Sequence, residues 1–383
     1  MNALSNLKIL DFTTLLPGPF ATMQLADMGA EVLKVSSPSK YDLVLEAEPK
    51  IKEKSANLLW LNRNKKTMAL NLKTGEAIKI VKKLIEEYDI LVEQFRPGVM
   101  EKLGLGYDEL IKINPKLIYC SITGYGQSGV LSSKAGHDIN YLARSGLMSF
   151  SGTKKSGPVI YGTQIADIAV GSMNSIVAIL AAVNYRNLTG KGQHLDISMM
   201  DGLLPFNSLS GTQYLGGGDL PTRESDLLNG GSNYDFYKTK DGRYFSVGSL
   251  EKKFWDGLCD ILEIDANSAT DISVKEEIRE KFMSKDFEEW LEIFKDKDVC
   301  VEPVLNLDEV VQDKNINERG LIVELDVDGE KVKQFASPIK FSKSKQEYKF
   351  AGKTIGEDTV DIMRKLGYSE DEIEDMKNND VFK

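Results

Sequence analysis

The sequence predicts an α/β protein: a large domain with an open, mostly parallel β-sheet and helices on both faces, followed by a smaller α+β domain. Strand-like and helix-like segments alternate through the N-terminal part at the spacing of βα units. A stretch rich in Gly, Ser, Asn and Asp breaks this alternation at 200–235. A hairpin and several helical segments come after the stretch, which indicates a second folding unit.

The elements of the large domain follow from apolar periodicity. They are a strand at 7–13, a helix at 19–30, a strand at 31–37, a strand at the end of 61–72, an amphipathic helix at 73–88, and strands at 89–95 and 117–126. The first three form a βαβ unit, and the last strand runs into a glycine turn. Such alternation is typical of a doubly wound, Rossmann-like sheet.

The later part of the chain is predicted from turn residues and from composition. Residues 235–249 form a hairpin with Asp-Gly at its turn, helices extend to about 297, and a strand-rich stretch ends with 335–342. Two short helices separated by Gly367 close the chain. We therefore assign 1–200 and 330–383 to the large domain and 226–310 to the small domain, with linkers at 201–225 and 311–329.

Composition excludes several classes of function. The chain has 383 residues, 42% of them hydrophobic and 28% charged, as in an ordinary globular protein. A net charge of −10 argues against general nucleic-acid binding, which needs a basic face. The three cysteines are far apart and suit a reducing compartment. No signal peptide is evident, and the most apolar run, 172–185, is predicted to be a buried helix, so we expect a cytoplasmic protein that does not bind membranes.

Motifs for common cofactors and metals are missing from the sequence. The first βα turn, TTLLPGPFAT, lacks the GxGxxG pattern, which disfavours a dinucleotide site there. The two histidines, His137 and His194, are too isolated to suggest a zinc pair. His194 lies in an alternating, strand-like run and is predicted to be a structural polar residue.

Positive charge clusters in two segments of the N-terminal half. The segment NRNKK contains Arg63, Lys65 and Lys66, and FRPG places Arg96 at the C-terminal end of a strand. Ligands of open α/β sheets bind at the carboxyl ends of strands, and Arg and Lys suit phosphate groups. These residues are therefore candidates for a site that binds a phosphate-bearing ligand; the alternative is ordinary solvated loop charge.

Three side chains are candidates for acid/base chemistry. His137 lies between a glycine and an apolar, helix-like run, so it is an acid/base group, a metal ligand or a helix cap. Asp167 begins or interrupts an apolar helical run, where it is either a partly buried reactive carboxylate or a plain N-cap. Glu251 follows the predicted hairpin, and its alternative is an ordinary acid at a helix start.

Several long motifs occur in an order that resembles the superfamily of family III CoA-transferases and α-methylacyl-CoA racemases (CaiB/BaiF). They are LKILDFTTLLPGPFATMQLADMGAEVLKV, NRNKKTMALNLK, VEQFRPGVMEKLGLGYDEL, NPKLIYCSITGYGQSG, AGHDINYLARSG and GKGQHLDISMMDG. The resemblance covers nearly the whole chain and is weakest at 38–57 and 265–300. It implies an acyl-CoA substrate and no cofactor beyond the CoA moiety of that substrate.

The resemblance implies two possible chemistries. In the transferases an aspartate that matches Asp167 attacks the acyl-CoA and forms a covalent anhydride. In the racemases the matching aspartate is an acid/base group opposite the histidine of a GHDxNY motif, here His137, and a glutamate, here Glu251, supports that histidine. Because the histidine motif is present, we predict a racemase of 2-methylacyl-CoA thioesters. A CoA-transferase is the alternative, and a non-catalytic acyl-CoA-binding protein is a third possibility.

The resemblance also concerns binding and assembly. We expect Gly136, Asp138 and Tyr141 of the motif to contribute to acyl-CoA binding, with the basic residues above. Where the family often has an acid and an arginine before a proline, this chain has Ser36-Ser37-Pro38, so one expected phosphate contact is missing and Lys40 is a candidate substitute. The family further implies an interlaced homodimer in which Glu251 reaches the site of the other chain.

Overall fold

The computed structural model describes residues 2–39 and 41–382, so the role predicted for Lys40 lies outside the described residues. The strands are β1 (Lys8–Asp11), β2 (Glu31–Ser36), β3 (Lys50–Ile51), β4 (Lys54–Ser55), β5 (Lys65–Ala69), β6 (Ile90–Glu93), β7 (Ile118–Thr123), β8 (His194–Ser198), β9 (Asp235–Lys238), β10 (Tyr244–Val247), β11 (Val301–Pro303), β12 (Ile322–Val327) and β13 (Glu330–Phe335).

The α-helices are α1 (Pro17–Asp27), α2 (Ala56–Leu61), α3 (Gly75–Ile85), α4 (Val99–Lys102), α5 (Tyr107–Ile113), α6 (Asp138–Arg144), α7 (Met173–Thr189), α8 (Ser208–Leu215), α9 (Lys252–Leu262), α10 (Lys275–Met283), α11 (Phe287–Phe294), α12 (Leu307–Gln312), α13 (Lys314–Glu318), α14 (Thr359–Lys365) and α15 (Glu370–Asn378). A π-helical segment, Ala166–Ser172, leads into α7.

The chain divides into two compact units. The first contains Met1–Tyr141, Thr163–Leu203 and Asn315–Lys383, and the second contains Leu142–Gly162 and Leu204–Lys314. The division differs from the sequence-based one in that 142–162 belongs to the second unit and 315–329 to the first. The β12–β13 hairpin thus lies in the first unit, although part of it falls in a predicted linker.

The first unit carries the parallel sheet that the sequence predicts. Its six strands run in the order β5-β2-β1-β6-β7-β8, and every neighbouring pair is parallel. The chain proceeds outward from β1 to β2 and β5, and then returns to the other side of β1 with β6. The loops after β1 and β6 therefore leave the carboxyl edge in different directions, which makes this edge the expected ligand site of an open α/β sheet.

Helices cover both faces of this sheet because the strands are apolar on both sides. Ile9 of β1 faces a core that includes residues of α1 and α7, whereas its neighbour Leu10 faces a core that includes residues of α3, α5, α14 and α15. Adjacent strand residues point to opposite faces, so one short strand supplies both cores. The two closing helices, α14 and α15, are separated at Gly367 as predicted.

The apolar run that includes α7 is only partly the buried helix that the sequence predicts. Ile176, Ile179 and Ala182 lie in the core, but the side chain of Val177 is 67% exposed and that of Leu188 is 79% exposed. The run Ala166–Thr189 has 24 residues and contains an 18-residue window with a mean hydropathy of 1.8, so by length and composition alone it could cross a membrane.

The second unit is the smaller α+β block. The strands β9 and β10 form the predicted hairpin, with Gly242 at positive φ in its turn, and β11 adds to β10 in an antiparallel sheet. Aromatic side chains from this sheet and from α9, α10 and α11 make its core, and they include Trp255, Phe282 and Trp290. The predicted linker at 201–225 contains α8, so only part of it lacks regular structure.

Candidate active site

A cavity of about 550 Å³ opens at the carboxyl edge of the sheet, within the first unit. Its walls come from the segments after β1 and β6, from the end of β7, and from the start of α6 and the π-helical segment. The residues used below are Thr14, Gln94, Phe95, Arg96, Lys134, Gly136, His137, Asn140, Tyr141 and Asp167. The cavity thus lies where the strand order predicts a ligand site, and it contains both residues predicted to carry the chemistry.

His137 is placed by the start of α6. Its carbonyl oxygen accepts hydrogen bonds from the N–H groups of Asn140 (2.8 Å) and Tyr141 (3.3 Å). In return the side chain of Asn140 accepts a hydrogen bond from the N–H of His137 at 3.0 Å. This reciprocal arrangement resembles a capping box and fixes the backbone of His137, while its imidazole stays exposed on the cavity wall.

Gly136 and Tyr141, the first and last residues of the GHDINY motif, are in contact. The hydroxyl of Tyr141 donates a hydrogen bond to the carbonyl of Gly136, and its ring packs edge-on against Tyr125. A Cβ atom at position 136 would lie 2.7 Å from the Tyr141 ring, and one at Gly124 would lie 2.4 Å from it. Glycine is therefore required at both positions, because the ring occupies the space that a side chain would need.

Asp167 lies in the first turn of the π-helical segment. Its side chain is half-buried, and burial together with the nearby charge of Asp138 raises the pKa of Asp167 to about 7. The hydroxyl of Ser172 lies 2.7 Å from the carbonyl of Pro17 and 3.1 Å from that of Asp167, so it links this turn to the loop after β1. A carboxyl group with such a pKa can hold or release a proton near neutrality.

Asp138 lies behind the cavity wall. Its carboxylate accepts a hydrogen bond from the N–H of Asp167 at 3.1 Å and is also bonded by the N–H of Ala166. Gly136 and Tyr141 line the cavity as expected for binding residues, but Asp138 does not. The contribution of Asp138 to acyl-CoA binding stays a prediction, and its side chain caps the start of the neighbouring helical run.

The prediction that Arg63 and Lys65 bind phosphate is also wrong. Both side chains are fully buried. The guanidinium of Arg63 forms a close ion pair with Asp27, and the ammonium of Lys65 lies 3.2 Å from Asp11. Lys66 is more exposed but pairs with Glu31 at 3.5 Å and is not part of the cavity. The physical reason is that NRNKK leads into β5 and its two lysines are the first residues of that strand, so the segment lies at the amino end of the strand rather than at the carboxyl edge.

Asp11, Lys34 and Lys65 form a buried network beside the site. Burial acts to raise the pKa of Asp11, but the ammonium groups of Lys34 and Lys65 hold it well below its usual range. The Asp11 carboxylate also accepts hydrogen bonds from the N–H and hydroxyl of Thr13 and from the hydroxyl of Thr22. The network therefore fixes the loop after β1, which continues into the cavity wall at Thr14.

The loop after β6 supplies Arg96, which lines the cavity and is exposed, as the sequence predicts. Glu93 holds this loop, since its carboxyl group accepts a hydrogen bond from the N–H of Phe95 at 2.7 Å. Burial raises the pKa of Glu93 to about 7. Lys134, which the sequence analysis overlooked, provides a second exposed cation on the wall. Its place three residues before His137 is the signal that could have found it.

A second cavity of about 290 Å³ adjoins the first and shares Thr14 and Phe95 with it. Its other walls are largely apolar and come from the ends of β1, β2, β5 and β6, with Val35 and Leu70 among them. Lys73 also lines it. Cations thus line both cavities, with Arg96 and Lys134 on the larger one and Lys73 on the smaller one.

The remaining candidates lie elsewhere. Glu251 is the N-cap residue of α9 in the second unit and is exposed, which leaves its predicted catalytic role untested. His194 lies in β8, where its imidazole is 3.0 Å from the hydroxyl of Ser121 and stacks on Tyr107. His194 does not line the cavity, in keeping with the structural role predicted for it.

His137 and Asp167 line one cavity at the carboxyl edge of an open sheet, which is the usual place for the active site of an α/β enzyme. The model for CoA-transferase family III matches residues 4–359, and the chain belongs to this family. It is 34% identical to alpha-methylacyl-CoA racemase from Mus musculus, over 97% of this chain and 95% of that protein. It is 33% identical to succinyl-CoA:glutarate CoA-transferase from Homo sapiens, over 95% of this chain and 86% of that protein.

Solved structures share the fold. A CAIB/BAIF family protein from Brucella suis has a TM-score of 0.83 and 27% identity, and the match covers 96% of this chain and all (100%) of that one. Rv3272 from Mycobacterium tuberculosis has a TM-score of 0.79 and 26% identity, with 94% and 98% covered. The protein is thus an enzyme of the family III class, in which relatives named as racemases and as transferases are similarly close.

Proposed function

We propose that the protein is a racemase of 2-methylacyl-CoA thioesters. The observation that carries this proposal is that His137 and Asp167 line the same cavity. Inversion at an α-carbon needs one group to remove a proton and another to deliver a proton from the opposite face. An imidazole and a carboxyl group whose pKa is raised to about 7 meet that need near neutral pH.

In the proposed reaction the neutral imidazole of His137 takes the α-proton. The C–H bond breaks, and its electron pair enters the enolate of the thioester. The O–H bond of Asp167 then breaks, and its proton goes to the α-carbon on the other face, which leaves an imidazolium and a carboxylate. With the opposite enantiomer the two groups exchange roles, and no atom is gained or lost overall.

The enolate oxygen requires hydrogen-bond donors, and backbone N–H groups at the start of a helix can supply them. At the two helix starts near the cavity, the N–H of Asp167 donates to Asp138 and the N–H of His137 donates to Asn140, so neither is available. We propose the N–H groups of Asp138 and Ile139, in the first turn of α6, as the donors.

We further propose that the phosphates of CoA lie near Arg96 and Lys134, and that its adenosine part enters the smaller, apolar cavity. The support is that the two cavities adjoin and that these cations lie on the wall of the larger one. CoA is then part of the substrate, and the proposed chemistry uses no additional cofactor.

A CoA-transferase is the second candidate, and the observation that favours it is the presence of Asp167 in the cavity. An ionised Asp167 could attack the thioester carbonyl, expel CoA and form an acyl anhydride. Two features favour the racemase. A transferase does not need His137, and a carboxyl group that holds its proton near neutrality is a poor nucleophile.

The deciding experiment follows an (R)-2-methylacyl-CoA in deuterium oxide by NMR. We expect inversion with uptake of deuterium at the α-carbon. His137→Gln should reduce both by at least about 100-fold, because general base catalysis contributes roughly 10²–10⁴-fold. His194→Gln is the matched control, since it alters the other histidine outside the cavity, and it should retain activity.

Near-normal inversion in His137→Gln would remove His137 from the mechanism. A substrate-dependent acyl adduct on Asp167, trapped with hydroxylamine or borohydride and located by mass spectrometry, would instead support the transferase.

Assembly and location are also proposals. The family resemblance supports an interlaced homodimer in which Glu251 of one subunit supports His137 of the other. The exposed apolar residues of α7 and α8, such as Leu188 and Leu215, are surfaces that such an assembly could cover. The three widely separated cysteines suit a reducing compartment, and we propose a cytoplasmic location on that ground.

A further inference from the structure

We propose that Asp138 is a positioning residue whose negative charge keeps the exchangeable proton on Asp167. The inference concerns the resting state of the enzyme before substrate arrives. The effect on racemisation that follows from this inference rests on the proposed function. The protonation of Asp167 in the resting enzyme does not rest on it.

The two carboxyl groups have different partners. The Asp138 carboxylate is bonded by the N–H of Asp167, at 3.1 Å, and by the N–H of Ala166. Across residues 2–39 and 41–382, no group donates a hydrogen bond to the side chain of Asp167, which is half-buried on the cavity wall. Donated hydrogen bonds stabilise a carboxylate, whereas burial without them disfavours it.

Two carboxyl groups that are close together and partly buried do not ionise independently. The group with backbone donors keeps the negative charge, and the group without donors keeps the proton. Asp138 is therefore the anion, and Asp167 is the acid. Burial and the charge of Asp138 are the two causes that raise the pKa of Asp167.

Other charged or titratable groups also line the cavity that contains Asp167. His137 and Tyr141 come from the segment of Asp138, and Arg96 and Lys134 lie on the other cavity walls. Burial, followed by the charges of Asp167, Tyr125 and Asp138, raises the pKa of Tyr141, so its phenol stays neutral. Arg96 and Lys134 are cations on the cavity wall, but neither is among the causes that shift the pKa of Asp167, whereas the charge of Asp138 is.

His137 and Asp138 therefore have different roles within the motif. The carboxylate of Asp138 does not touch the substrate; it sets the protonation of the acid that acts opposite His137. Without the charge of Asp138, Asp167 would lose its proton at a lower pH, and less of the enzyme would hold an acid at neutral pH.

The test compares Asp138→Asn and Asp138→Ser with the unaltered protein. Both replacements can accept the N–H of Asp167 as uncharged N-caps. The pKa of Asp167 is read from the ¹³C chemical shift of aspartate labelled at its carboxyl carbon, and Asp167→Asn identifies the signal. The matched control is Asp196→Asn, since Asp196 also accepts a backbone N–H, that of Gln127, and is not among the causes of the Asp167 shift.

We expect the pKa of Asp167 to fall by roughly 1 unit or more in both Asp138 variants, because coupled carboxyl groups interact by more than about 1 pK unit. It should stay unchanged in Asp196→Asn. In active enzyme the alkaline limb of the pH profile of kcat should move to lower pH by a similar amount, which a purely structural cap would not cause.

An unchanged pKa of Asp167 in the folded Asn and Ser variants would overturn the inference. Failure of both to fold would also overturn it, since an uncharged cap should satisfy the helix start. If the pKa falls as expected but the unaltered protein does not racemise, the inference about the proton stands and the proposed function fails.

Discussion

Lys65 and Lys66 are neighbours in the sequence but have different environments. They lie on β5, where alternate side chains point to opposite faces. The Lys65 ammonium is fully buried, with the Asp11 carboxylate, the carbonyl of Pro19 and the hydroxyl of Thr22 as partners. The Lys66 side chain is 39% exposed and pairs with Glu31 at 3.5 Å. One of two adjacent lysines therefore stabilises the fold, and the other contributes little.

We predict that Lys65→Met lowers the free energy of unfolding by roughly 3–5 kcal/mol. Removing one partner of a buried ion network leaves the other charges uncompensated, and such losses have about this size. Lys66→Met is the matched control and should change the free energy by less than about 1 kcal/mol, because exposed pairs contribute little. Urea unfolding followed by circular dichroism measures both. Equal effects of the two substitutions would contradict the proposed role of the network.

At the scale of the elements, the direction of each strand decides which loops meet. The segments after β1, β6 and β7 converge at the carboxyl edge, so they form one cavity although they are far apart in the sequence. Arg96 follows β6 and lies in that cavity, whereas NRNKK forms the amino end of β5 and does not. Whether a charged residue comes at the start of a strand or after its end therefore predicts whether it can reach the cavity. The charge alone does not predict this.

This order leads to a prediction about CoA binding. Arg96→Glu should weaken the binding of free CoA by about tenfold or more, since a charge-assisted contact contributes roughly 1.5–3 kcal/mol. Lys66→Glu makes the same charge change outside the cavity and should leave the affinity within about twofold. Isothermal titration calorimetry at fixed ionic strength measures both. An unchanged affinity in Arg96→Glu would remove the loop after β6 from the proposed phosphate site.

At the scale of the whole molecule, the proposed residues belong to different units. His137 and Asp167 lie in the first unit, and Glu251 lies in the second. The first unit contains the full wall of the cavity. We propose from the family resemblance that the site is completed by Glu251 of a second subunit.

We predict complementation between two inactive variants. Co-expressed His137→Ala and Glu251→Ala subunits should form heterodimers that recover part of the activity, because one site in each heterodimer has all three groups intact. Differently tagged subunits allow the heterodimer to be purified and assayed, with each inactive homodimer as the control. If purified heterodimers are as inactive as the homodimers, Glu251 does not act across subunits.

The sequence by itself determined the order of strands and helices, the GHDINY motif at a helix start, and the family, because all of these depend on local periodicity or on contiguous motifs. It could not decide burial or the meeting of distant segments. Arg63 and Lys65 look like surface charge but are buried with Asp27 and Asp11, residues far from them in the chain.

The contact between Asp138 and Asp167 was also decided by the tertiary structure alone. The Asp138 side chain meets the backbone of Asp167, 29 residues further along the chain. The pKa of Asp167 follows from that contact and from burial, which are properties of packing. A sequence names the groups that can carry a proton, but the solvent and charge around each group, which the fold creates, decide which of them holds it.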